Sequence, residues 1–513
     1  MGLDILMFLA AFLLLMAGFP VAFTLAGVAL IFSFLGIMTG SFDSSFLQAF
    51  PQRIFGIMNN EILLAIPLFI FMGSLLERSR LAESLLTGMA YLLRHVRGGL
   101  GISVTIVGAL LAASTGIVAA TVVTMGLLSL PSLIKRGYDP AFATGTISAA
   151  GTLGQIIPPS IVLILLGDII SNAYQQSQLQ RGIFAPETVS LGELFAGALL
   201  PGLALVGLYI LYQFSMSLFR PHLCGHNQVN EDSELNMQTV LLGLIPPISL
   251  IIAVLGSILM GLATPTEAAG VGALGTILLA GMHIRKKENF LPQAGIISLL
   301  VLLAMGIVFD FKLLQSPAHP LFWLSAICMV IFFASLAFTL IALWKSNMLR
   351  EVMHKTMEMN AMVFTLLIGA ALFSLVLRGF GGDETVQSLL ENMPGGAMGA
   401  MIGVMLVMFI MGFFLDFIEI TLVIVPLIAP ILLSMGYDPI WLGVMITINL
   451  QTSFLTPPFG FALFYLRSVA PKSINTADIY KGVIPFIFIQ LLMLGLLAYF
   501  PQMASFLPEL IFD

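Results

Sequence analysis

Charge is scarce in this chain. Asp, Glu, Lys and Arg make up 9% of its 513 residues, against roughly 25% in soluble domains, which excludes an ordinary soluble fold. Basic residues number only 20 and form no basic domain, so nucleic acid is excluded as a partner. The two cysteines, Cys224 and Cys328, fall in different kinds of segment and support no disulfide framework. Four of the six histidines are dispersed. One stretch, Pro221 to His226, has metal-like residue types but no second cluster to complete a site. No nucleophile elbow, phosphate loop or catalytic constellation is present, and an enzyme is not expected.

Apolar residues are what the chain has in excess, at 59%. A spanning helix needs about 20 of them in a row, and the pattern predicts an all-α polytopic membrane protein. The stretch from Leu3 to Phe19 has neither a basic region nor a small-residue cleavage site, and reads as a first transmembrane helix. Two apolar runs, 98–134 and 395–435, are too long for one crossing. Each is broken at its middle, by Ser114-Thr115-Gly116 and by Leu415-Asp416-Phe417. They are either pairs of short crossings or re-entrant hairpins with tips at membrane depth. With the N-terminus outside, inside loops hold every Lys and Arg except Arg53, Arg181, Lys312 and Arg378. This positive-inside bias sets sidedness but not hairpin depth. Twelve full crossings plus two hairpins are expected.

The chain also repeats itself. GYDP occurs at 137–140 and 436–439, an offset of 299; at the same offset Pro158-Pro159 match Pro457-Pro458, and Pro131 matches Pro430. Locally GYDP is a helix start, Asp capping and Pro in the first turn. That does not explain why paired prolines follow at the same distance twice. Lys135-Arg136 precede the first corner, whereas uncharged Ser434-Met435 precede the second. The copies are therefore inverted, which with interrupted helices is a transporter architecture. The expected organisation is N-terminal scaffold helices in 1–77, a first repeat in 98–218 (hairpin 98–135, broken helix 140–171) and scaffold helices in 239–284. A two-helix insertion follows in 290–345, then an arm helix at 356–377 and a second repeat in 395–500 (hairpin 395–435, broken helix 440–466).

Broken backbone inside a bilayer costs several kcal/mol per free group unless it lines a cavity or binds something. Half-helix N-termini favour anions and free carbonyls favour hard cations. Polar groups near the breaks are Ser114, Thr115, Thr152, Gln155 and Ser160 in copy one. In copy two they are Asp416, Glu419, Asn449, Gln451, Thr452, Ser453 and Thr456. The competing reading of each Ser or Thr is helix packing or back-bonding. Asp416, among apolar neighbours, reads as a cation ligand or proton carrier, with Glu419 on the same helical face. Glu267 looks like a helix-start carboxylate, and Asp168 is expected to reach the interface.

The stretches AIPLFIFMG (65–73), QIIPPSI (155–161), GLATPTEAAGVG (261–272) and LTPPFG (455–460) resemble the motifs of the large membrane subunit of TRAP transporters, the DctM-type permeases. The resemblance covers nearly the whole chain in order. It implies an elevator-type importer of organic acids in the bacterial inner membrane, coupled to Na⁺, with no cofactor. Its implied partners are a periplasmic substrate-binding protein and a small four-helix membrane subunit, here a separate chain because this one begins directly at its first helix. Both termini are expected to be periplasmic. The implied Na⁺ sites are Ser114, Thr115, Gly116, Gly154 and Pro158 in copy one, and Leu415, Asp416, Thr452, Thr456 and Pro457 in copy two. Thr152, Gln155, Ser160, Asn449 and Gly460 are the implied substrate contacts. The extra segments 292–309 and 321–343 look like the branch associated with 2-oxo acids, mannitol or chloroaromatic acids. A tip one without a Ser-rich stretch also departs from the family pattern. The rival reading is a self-sufficient cation-coupled carboxylate symporter of the same superfamily; a membrane scaffold protein would not need inverted broken helices.

Overall fold

The computed structural model describes residues 2–79, 81–225, 237–284, 290–308 and 320–512. Among these residues every regular element is helical. Six helices are long and apolar enough to cross a membrane alone, and nine if each bent pair is one span. The expected crossings also include shorter apolar helices such as Leu3–Met16 and Phe290–Leu302. Phe23, Ile31 and Phe34 are exposed along Val21–Thr39, an apolar surface suited to lipid.

Both GYDP corners obey the same local rules. Gly137 and Gly436 are left-handed, at φ 77° and 100°, which glycine adopts without a Cβ penalty. Asp139 accepts from Phe142 N–H at 3.0 Å, and Asp438 from Trp441 N–H at 2.7 Å. Pro140 and Pro439 occupy the first turn of each helix, where the missing N–H is not needed. Thr264 and Glu267 cap each other's backbone in the same spirit, at 3.3 and 2.8 Å.

The corners lie at opposite ends of the molecule. Corner one is tied to the stretch after Leu191–Phe219: Asp139 N–H donates to the Leu223 carbonyl at 3.1 Å, and Tyr138 bridges to Cys224. Corner two lies at the other end of that helix, where a Cβ on Gly197 would meet the Ile440 side chain at 2.3 Å, and it is tied to Arg181 after Ile161–Gln180. Arg181 donates to the Leu433 carbonyl at 2.7 Å and also to that of Ser434. Leu191–Phe219 has 29 residues, about 43 Å at 1.5 Å per residue. The inversion expected from the flanking charges is thus present in the packing.

The copies also interlock reciprocally. The returning arm of the first hairpin, Val118–Lys135, packs on Phe461–Val469 of copy two, and Val425–Ser434 of the second hairpin packs on Ile161–Gln180 of copy one. Likewise Pro140–Thr152 packs on Thr476–Tyr499, and Pro439–Leu455 on Leu191–Phe219. Outside this core, Phe290–Val308 and Pro320–Lys345 pack on each other and on Pro265–Ile284. The expected arm helix at 356–377 lies within a 32-residue helix, Met348–Gly379, that starts eight residues earlier.

Candidate functional site

Each long helix of the repeats breaks where the paired prolines predict. Copy one runs as Pro140–Thr152, a 3-10 turn Leu153–Gln155, and then Ile161–Gln180. Copy two runs as Pro439–Leu455 and Phe461–Val469. Both Pro-Pro bonds are cis.

The hairpin tips come to these breaks. Gly116, left-handed at φ 60°, ends Gly99–Thr115; a Cβ on it would meet the Ile161 backbone N at 2.8 Å. Tip one therefore sits at the N-terminus of the second half-helix. The Ser114 and Thr115 side chains lie outside the described residues. Tip two, between Gly396–Met411 and Phe417–Val423, sets Phe414 against Phe459 of the second break, 5.4 Å between tilted ring centroids. Leu415 is buried there. Asp416 is the N-cap residue of Phe417–Val423, and its N–H donates to the Glu419 carboxylate at 2.8 Å.

One pair of matched positions faces the hairpin of its own copy, with different chemistry in the two copies. Ala150 and Gly154 meet hairpin one at Gly108 and Ala112; the closest approach for a Cβ on Gly154 is 3.1 Å. The positions 299 residues on are Asn449 and Ser453. They donate to the Met405 and Phe409 carbonyls of hairpin two at 2.8 and 2.7 Å. Copy one closes by small-residue contact, copy two by hydrogen bonds.

The two broken helices touch at the centre. Gln451 Nε2 donates to Thr152 Oγ1 at 3.3 Å, and these residues are repeat mates, 299 apart. A contact between mates marks the pseudo-twofold axis. Gln451 was among the polar groups noted near the breaks but not among the implied ligands; the repeat offset itself was the signal that could have placed it.

Around that axis lie oxygens without partners. Gln155 Oε1, Ser160 Oγ and Gln451 Oε1 are buried and accept or donate no hydrogen bond; the three side chains are at most 1% exposed. Such groups are costly unless a ligand completes them. Thr152, Thr452 and Thr456 donate back to the carbonyls of Ala149, Ile448 and Thr452 at 2.8–2.9 Å. Their hydroxyl donors are spent on the backbone, while each oxygen keeps at least one lone pair, Thr152 having given one to Gln451. Gly460 starts Phe461–Val469, and a Cβ there would meet the Phe454 carbonyl at 2.5 Å. Pro158 and Pro457 open the two cis pairs beside these groups. Ser148 and Thr421 also carry buried hydroxyls without partners, and neither was singled out from the sequence. The set is oxygen-rich and uncharged apart from the tip-two carboxylates, a donor set suited to a hard monovalent cation and a polar organic anion.

Comparison with known proteins gives the family. The family model for "Tripartite ATP-independent periplasmic transporter, DctM component" matches residues 8–314 and 292–503. The chain is 25% identical to the C4-dicarboxylate TRAP transporter large permease protein DctM of Vibrio cholerae, over 99% of this chain and 97% of that protein. It is 25% identical to the sialic acid TRAP transporter large permease protein SiaM of the same organism, covering 97% and 96%. Identity to the ectoine TRAP transporter large permease protein TeaC of Halomonas elongata is 26%, covering 97% of each. Among solved structures, the Alcanivorax borkumensis YdaH transporter matches with a TM-score of 0.55 at 15% identity over 90% of each chain, a likeness of fold. The chain belongs to the DctM family as the large membrane subunit of a tripartite ATP-independent periplasmic (TRAP) transporter.

Proposed function

We propose that this subunit imports an organic acid in symport with Na⁺ across a bacterial inner membrane. A periplasmic binding protein delivers the acid, and a separate small four-helix membrane subunit completes the transporter. The observation that carries the reading is the set of partnerless buried oxygens where two inverted broken helices meet. The backbone at 114–116 with Gly154 and Pro158 would hold one cation. Leu415, Asp416, Thr452, Thr456 and Pro457 would hold another, with the Asp416 carboxylate supplying charge. The acid would lie between them, on Thr152, Gln155, Ser160, Asn449 and Gly460, its carboxylate near the N-termini of Ile161–Gln180 and Phe461–Val469.

Relatives named for C4-dicarboxylates, sialic acid and ectoine are almost equally similar to this chain, so similarity does not rank substrates. In this reading the repeats move as an elevator against the remaining helices, and both termini are periplasmic. The test is uptake into proteoliposomes under an inward Na⁺ gradient, with and without the binding protein and small subunit. Uptake only with all partners and Na⁺ is expected. Uptake by this chain alone would favour the self-sufficient symporter, and uptake driven by a pH gradient without Na⁺ would make Asp416 a proton carrier.

A further inference from the structure

A cavity of about 580 Å³ lies away from the central breaks. One wall carries Arg53 and Asn60, together with Arg378 from Met348–Gly379; the facing wall is Ile161–Gln180, with Asp168, Asn172 and Gln176. Seven residues separate Ile161 from Asp168 and fifteen separate it from Gln176, so the cavity runs from about 10 to about 22 Å beyond the first break. It lies along the half of that helix nearer Arg181, which grips corner two. By the charge distribution, this is the outer side.

Two guanidiniums on one wall of a half-enclosed cavity are uncommon in a chain with so little charge. Arg378 is held at 3.1 Å by Asp383 and keeps 30% of its side chain exposed. Asp168 accepts from Asn60 across the cavity at 3.1 Å. Its carboxylate has lone pairs for a further donor. The arginine forks match a carboxylate, while Asp168 repels a bare anion and accepts from a hydroxyl or amine.

We propose that this cavity is a second recognition site for the transported acid, met before the central breaks. Arg53 and Arg378 hold its carboxylate, and Asp168 selects acids that carry a hydroxyl or amine donor. The inference rests on the importer reading and deepens it by naming a substrate class: substituted, hydrogen-bonding acids over plain aliphatic ones.

The test places a thiol on the cavity wall, Ala371→Cys, in the full chain in right-side-out vesicles. It compares externally added methanethiosulfonate reagents carrying a sulfonate or an ammonium group. The sulfonate reagent is expected to react about tenfold faster, as in charge-lined clefts. Arg53→Gln, which leaves the Arg378–Asp383 pair intact, should bring the ratio close to one. Malate should slow labelling more than succinate, and Asp168→Asn should abolish that difference. Equal reagent rates, a ratio indifferent to Arg53→Gln, or no slowing by either acid would overturn the site. If partner-dependent Na⁺ uptake proceeds while the labelling shows no anion preference, the site falls and the importer reading stands. If uptake fails with all partners yet the anion preference and malate protection appear, the site stands and the importer reading falls.

Discussion

Removing Asn449 and Ser453 should loosen hairpin two and leave hairpin one untouched. The two bonds are not equivalent. Phe409, the acceptor for Ser453 at 2.7 Å, lies in the last turn of Gly396–Met411, where carbonyls lack a helical partner. Ser453→Ala would strand a buried acceptor, at a cost of about 1–3 kcal/mol. Met405 sits a turn earlier, where the helix supplies its own donor. Asn449→Ala should therefore cost only about 0.6 kcal/mol, the usual worth of a side-chain bond between membrane helices. The double variant should lose about 2 kcal/mol of hairpin attachment, roughly a 30-fold rise in opening. Hydrogen exchange followed by mass spectrometry on peptides covering 396–415, with 99–116 as internal reference, reads this directly. Equal acceleration of both hairpins would mean global destabilisation, and no acceleration at 396–415 would refute the idea that these bonds hold the hairpin down. A larger effect from Asn449→Ala than from Ser453→Ala would refute the carbonyl argument.

Gly145→Ala should destabilise the core, because its Cβ would meet the Gly482 carbonyl oxygen at 2.0 Å. Overpacking of about 1–3 kcal/mol outweighs a helix-propensity gain of at most ~1 kcal/mol. Gly207→Ala, with open space around it, should be neutral or stabilising, and equal shifts in thermal unfolding in detergent would sink the distinction. Asp416→Asn should leave insertion and melting temperature unchanged, since Asn also serves at an N-cap, while Na⁺ dependence of uptake falls; an unchanged Na⁺ response removes Asp416 from the cation site. Asp139→Ala and Asp438→Ala should each cost ~1 kcal/mol through a lost cap, measurable by thermal unfolding as similar shifts despite their opposite sides.

What was legible in the sequence was whatever the backbone itself dictates. Gly137, Asp139 and Pro140 each follow a local rule, so the corner, the cap and the helix start could be read without neighbours. The same holds for Thr264 and Glu267. The paired prolines marked both breaks because proline removes a donor wherever it stands. Helix ends defined by hydropathy were less legible. The apolar run through copy one fades at 171, yet the helix continues to Gln180, because Asn172 and Gln176 face a cavity and not the lipid. For the same reason Asp168 lines that cavity and meets Asn60, where the sequence suggested only an interfacial carboxylate. Met348–Gly379 begins before its apolar stretch since Glu351 and Lys355 pair with Arg78 and Glu77, at 2.7 and 2.8 Å. Side chains that donate to another helix's carbonyl, as Asn449 and Ser453 do, leave no trace in periodicity. Their acceptors are main-chain atoms of residues with no polar side chain.

The difference between the two closures bears on direction. Small-residue contact, as between Gly154 and Ala112, weakens as soon as the surfaces part, because its dispersion attraction is short-ranged. Water cannot replace it. Hydrogen bonds from Asn449 and Ser453 to carbonyls can be exchanged for water or for a ligand at little net cost. An inverted repeat with identical closures would open equally on both sides. Here the exchangeable closure belongs to hairpin two, which leads back to corner two and Arg181, the end nearer which the arginine-lined cavity lies. In the importer reading, a polar acid that has passed that cavity can compete for the bonds that hold hairpin two. The dry packing of hairpin one gives it nothing to compete for on the opposite face.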